Sequence, residues 1–138
     1  RWEFNSTNNE WEAYKYVQLD SSAANAAASG TVLTYKNGYG YVVTDDISAS
    51  KQNFVAGVAI GAIAKGSYGW IKILGYHSAV KTNGDGDISK GDILIVDSST
   101  DGTCDSVAAG TAPTHKILGV ATADDTASDT VAAFISCL

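Results

Sequence analysis

The sequence predicts an all-β protein: a sandwich or barrel domain over residues 31–138, preceded by an extended N-terminal arm over residues 1–30. Three observations predict it. From Thr31 onward, short runs of β-branched, aromatic and aliphatic residues recur between Gly, Asn, Asp and Ser, at about 8–12-residue spacing. No segment of that half sustains the apolar period of about 3.6 residues that a capped helix needs. The length of 138 residues suits one domain, and a hydrophobic content of 45% is enough to build its core.

The elements follow in chain order. In RWEFNSTNNEWEAYKYVQLDSSAANAAASG, the aromatic residues Trp2, Phe4, Trp11, Tyr14 and Tyr16 sit among polar residues without sustained periodicity, and a small-residue tract follows. This stretch reads as an arm carrying one short strand or helix. Its aromatics either dock on a neighbour or fold back on their own domain, since an apolar cluster left in water is a liability. The five are the candidate interface residues. TVLTYK and YVVT flank NGYG, an Asn-Gly turn signal. In FVAGVAIGAI, alternation puts Phe54, Val58 and Ile60 on one face and Gly57, Ala59 and Gly61 on the other. A glycine-lined face admits another backbone closely. WIKILGY alternates Trp70, Lys72, Leu74 and Tyr76 with Ile71 and Ile73. ILIVD, KILGVATA and TVAAFISC are the remaining strands, with STDGTCD and ADDTASD as turns.

Charge narrows the function classes. The net charge is -6, and the nine basic residues form no run. Clustered cations are what phosphate backbones and anionic membrane surfaces require, so neither is an expected partner. The longest apolar run, FVAGVAIGAIA, is far shorter than the roughly 20 residues of a spanning helix. The polar N-terminus does not read as a signal peptide. Only 17% of residues are charged, against about a quarter in average soluble domains. A surface poor in charge is cheaper to bury, which points to assembly.

KTNGDGDISKGD, residues 81–92, resembles a calcium loop. Asn83, Asp85, Gly86, Ile88 and Asp92 fall at the third, fifth, sixth, eighth and twelfth positions. Lys81 stands where the first carboxylate belongs, Asp92 replaces the bidentate Glu, and the flanks read as strands rather than helices. The stretch is therefore expected to turn the chain through its Asn-Gly and Asp-Gly pairs. His77 and His115 lack paired ligands for zinc. Cys104 and Cys137 are too few for a disulfide scaffold and read as small, partly buried thiols, with a single bridge between them as the alternative. Asp124 and Asp125 are adjacent loop acids, and the Asn5-Ser6-Thr7 sequon is too short a pattern to carry weight. No nucleophile elbow or phosphate loop occurs. The expectation is a non-enzyme with no catalytic residue, no cofactor and no metal.

Three passages then carry a resemblance: FVAGVAIGAIAKGSYGWIKILGY, ISKGDILIVDSSTDGTCDSV and THKILGVATADDTASDTVAAFISCL. With Gly91-Asp92 before ILIV and Gly119-Val120-Ala121 before the last strand, residues 54–138 resemble the head decoration (cement) proteins of tailed bacteriophages. The resemblance implies a compact, small barrel/β-tulip-like domain that forms a homotrimer, made in the host cytoplasm, that sits on the outer surface of the capsid and bridges major capsid subunits. It implies no catalytic residue and no cofactor, and gives Gly91, Asp92 and Gly119 structural turn roles. The alternative from another class is a carbohydrate- or cell-surface-binding β module, with Trp11 or Trp70 stacking on sugar rings.

Overall fold

The computed structural model describes residues 1–48, 52–107, 110–125 and 129–137. Ten strands follow one another: β1 (Trp2–Asn5), β2 (Glu10–Leu19), β3 (Val32–Tyr35), β4 (Val42–Thr44), β5 (Val55–Ala59), β6 (Tyr68–Lys81), β7 (Ile93–Val96), β8 (Cys104–Ser106), β9 (Ile117–Ala121) and β10 (Thr130–Ser136). A short 3-10 turn, Gln52–Phe54, precedes β5. The protein is all-β, and its sheet closes on itself.

It closes twice. β2 pairs with β4, β4 with β3, β3 with β5, β5 with β6, and β6 returns to β2. These five strands form a first ring. From β6 the sheet continues through β10, β9, β7 and β8. Thr82, just past β6, bridges Cys104 of β8 and completes a second ring. The 14-residue β6 serves both: Gln18 to Ala13 of β2 lie along Tyr68 to Leu74, and Ser136 to Thr130 of β10 along Leu74 to Lys81. Closure removes most of the edges that would otherwise invite strand addition.

Each ring has its own core. Val17, Leu19, Ala23, Ala27, Leu33, Val43, Ala56, Ala59, Ile63 and Ile71 fill the first. The second holds Val32, Val55, Val58, Val80, Leu94, Val96, Leu118, Val131, Ile135 and the two cysteines, among others. β3 and β5 stand between them, Val32 facing one core and Leu33 the other. All five residues of β5 are buried. At Gly57 (φ +150°), a β-carbon would lie 2.5 Å from the Lys72 carbonyl oxygen. The glycine lets the two strands meet closely.

Two expectations need correction. Residues 1–30 are not an extended arm with a boundary at Gly30. They contribute β1 and β2 and four side chains of the first core, and the Gly30 N–H and C=O bond Ala59 and Lys81. The alternation of β2 is masked because Lys15 shares a face with the buried Val17 and Leu19, while Tyr14 and Tyr16 point outward. Lys15 is accommodated there by the Tyr35 hydroxyl (2.8 Å) and the Gly40 carbonyl (2.9 Å). The second correction concerns FVAGVAIGAI. Phe54 and Ile60 are exposed, and only Val55 to Ala59 form the strand.

Candidate functional site

The five aromatics singled out in the sequence fall on two faces of the β1–β2 ribbon. Trp2 lies opposite Ala13 and Phe4 opposite Trp11, so alternation puts Trp2, Phe4 and Trp11 on one side. All three are more than half exposed, and the Phe4 and Trp11 rings meet edge to face at 5.5 Å. Tyr14 and Tyr16 belong to the other side, with Glu12. There Tyr16 stacks on Tyr68 (5.8 Å) and tilts against Trp70 (5.0 Å). Tyr68 lies outside the five candidate interface residues, and the sequence points to Trp70 only as a sugar-stacking residue. What joins them to Tyr16 is the β2–β6 register, which the sequence does not reveal.

Beside this aromatic face lies a cleft of about 280 Å³ between the β1–β2 ribbon and β6, lined by Asn5, Glu12, Tyr14, Lys72 and His77 among others. Its floor is a buried polar cluster. Glu12 and Lys72 are 4% and 7% exposed. The Lys72 Nζ lies 3.0 Å from Glu12 Oε1, and the Asn5 side-chain amide donates to the same oxygen at 3.0 Å. The Tyr14 hydroxyl donates to Glu12 Oε2, and Lys72 also donates to the Tyr76 carbonyl. The Tyr76 N–H is held by Glu10 (2.9 Å).

The electrostatics follow from these contacts. Burial pushes the Glu12 carboxyl up, but hydrogen bonds from Tyr14, Asn5 and Lys72 and the Lys72 charge outweigh it, leaving the group below its ordinary value. Burial and the Glu12 carboxylate push the Tyr14 phenol up, so it stays a hydrogen-bond donor. Burial and the Lys72 charge push the His77 imidazole down. This cluster escaped the sequence reading. Its one signal there is Lys72, a lone cation inside the apolar WIKILGY.

The other stretches serve as connections. Gly84 and Gly86 take positive φ values of +87° and +70°, as tight turns require. The Asn83 amide donates to Asp85 (2.8 Å) and Asp97 (3.1 Å). Among the described residues, no three His, Cys, Asp or Glu side chains converge to hold a metal. Asp92 caps the Ser89 N–H (2.8 Å), and Gly91 (φ +97°) turns the chain into β7. Gly119 is not in a turn. It lies within β9, where a β-carbon would be 2.2 Å from the Phe134 carbonyl oxygen. Asp124 accepts the Lys90 N–H, and Asp125 the Thr82 hydroxyl. Cys104 and Cys137 are free and buried. Burial pushes both thiols up, Cys137 to about 12.

No family model matches the chain, and no curated protein does. Among solved structures, the fold is similar to the head fiber gp8.5 N base of bacteriophage phi29, with a TM-score of 0.58 and 18% identity over 91% of this chain and 95% of that one. At that identity, what the two chains share is the fold, along nearly their whole lengths.

Proposed function

We propose that this chain is a structural protein of a phage head. In this reading it is a homotrimer on the outer capsid surface that bridges major capsid subunits and stabilises the shell, without catalysis or cofactor. The observation that carries the reading is the fold shared over nearly the whole chain with a phage head fiber base. The exposed Trp2, Phe4 and Trp11 supply an apolar surface of the kind that anchors protein contacts. A low charge density lowers the cost of burying it. A protein that binds only the assembled shell stabilises that shell by mass action, and symmetric repetition multiplies weak contacts.

The test is co-sedimentation with expanded heads and with procapsids, together with the mass in solution. A trimer that pellets with expanded heads is expected, with Trp11→Ala weakening attachment at least about tenfold. A monomer that ignores both particles would end the reading. One observation favours a second reading: the Tyr16–Tyr68–Trp70 platform beside a polar cleft suits a sugar ring. Glycan-array binding abolished by Trp70→Ala, with no capsid binding, would decide for it.

A further inference from the structure

One oxygen, Glu12 Oε1, holds both the Lys72 ammonium and the Asn5 carboxamide, each at 3.0 Å. The two nitrogens are therefore no more than 6.0 Å apart. The Asn5 carbonyl oxygen is held separately. It accepts the backbone N–H groups of Thr7 (3.0 Å) and Asn8 (3.3 Å). An amine, a polarised amide carbonyl and a carboxylate between them are the parts of an acyl transfer. We propose that Lys72 and Asn5 become joined by an intramolecular isopeptide bond, with Glu12 moving the protons. This inference is independent of the capsid reading.

The step balances without an outside reagent. The Glu12 carboxylate takes a proton from the Lys72 ammonium. The freed amine attacks Cγ of Asn5, and charge develops on Oδ1 against the Thr7 and Asn8 N–H groups. Glu12, now a carboxylic acid, delivers a proton to Nδ2 as the Cγ–Nδ2 bond breaks. Ammonia leaves and takes up the remaining proton as ammonium, and a secondary amide joins the side chains. An ammonium and a carboxamide become an amide and an ammonium, with nothing oxidised or reduced. The reaction occurs once per chain, so a fixed geometry can substitute for turnover. Reacting atoms need to approach to about 3–3.5 Å, so the reaction requires the Lys72 amine to leave Glu12 and close on Asn5 Cγ.

The bond would fasten β1, which among the described residues pairs with β2 alone, directly to β6, the strand common to both rings. It closes a long loop, which restricts the unfolded chain.

Intact-mass measurement of the full chain, held at neutral pH, is the test. The expected mass is lower than the sequence mass by one ammonia, and a digest should contain one branched peptide joining Asn5 and Lys72. Asn5→Ala and Glu12→Gln are each expected to retain the full sequence mass. A wild-type chain at its full sequence mass, or one raised by deamidation, overturns the proposal. So does ammonia loss that persists in Asn5→Ala. Loss that persists in Glu12→Gln overturns the role given to Glu12.

Discussion

Glu12 is a buried carboxylate with three side-chain donors, and its energetics are set by what it neutralises. Burying a lone ammonium is costly, so removing the Glu12 charge leaves Lys72 uncompensated. The comparison belongs in an Asn5→Ala background, where Lys72 stays a free amine. Adding Glu12→Gln there is expected to cost about 3–5 kcal/mol at neutral pH. The pH dependence has a definite sign. With Asn5 present the folded carboxyl lies below its ordinary 4.5, and the Tyr14 and Lys72 contacts that remain in the Asn5→Ala background act in the same direction, so the unfolded chain is expected to bind the proton first. The stabilisation is complete above that value and is lost as pH falls toward the lower folded value. The gap between the two variants in urea midpoints should therefore be flat near neutrality and close in acid. A gap that widens in acid would contradict the ion pair.

At the scale of the elements, two glycines, one in the turn before β7 and one within β9, do different work. Gly91 has open space around it and a φ of +97°, so Gly91→Ala meets only the left-handed backbone penalty, about 1–2 kcal/mol. Gly119 has an ordinary backbone, but a β-carbon there would press on the Phe134 carbonyl oxygen across the β9–β10 ladder. No rotamer relieves a clash with backbone, so Gly119→Ala is expected to cost more, about 3 kcal/mol. Urea denaturation checks the order, and equal costs would refute it. The turn glycines, the all-β class and most strands after Thr31 were legible, because Asn-Gly and Gly-Asp punctuation and β-branched runs are local signals. Gly119 was not, since its constraint comes from a strand that local sequence cannot identify. β2 was hidden for the same kind of reason: Lys15 on the core side and buried Glu12 on the outer side break its alternation, and their partners lie on distant strands. The two-faced burial of β5 is likewise a consequence of ring closure.

At the scale of the molecule, the question is whether two cores make two folding units. The first core contains Val17, Leu19, Ala23 and Ala27, and the second contains no residue before Val32. Deleting residues 1–30 therefore removes side chains from the first core alone, and takes β2 out of its ring. Losing Val17 and Leu19 forfeits about 1.5–3 kcal/mol each, before counting the exposed β4 and β6 edges, against a total stability of about 5–15 kcal/mol. If the rings were independent, the second would survive. β3 and β5 argue otherwise, because each lines both cores, and neither strand can lose its packing on one face while holding the other in register. The thiols report the outcome, since Cys104 and Cys137 are buried in the second core and unreactive there. In the 31–138 chain both are expected to alkylate at the rate seen in urea, and the cooperative melt should vanish. Protected thiols and a sharp transition in that chain would mean that the second ring folds alone, with the first added onto it.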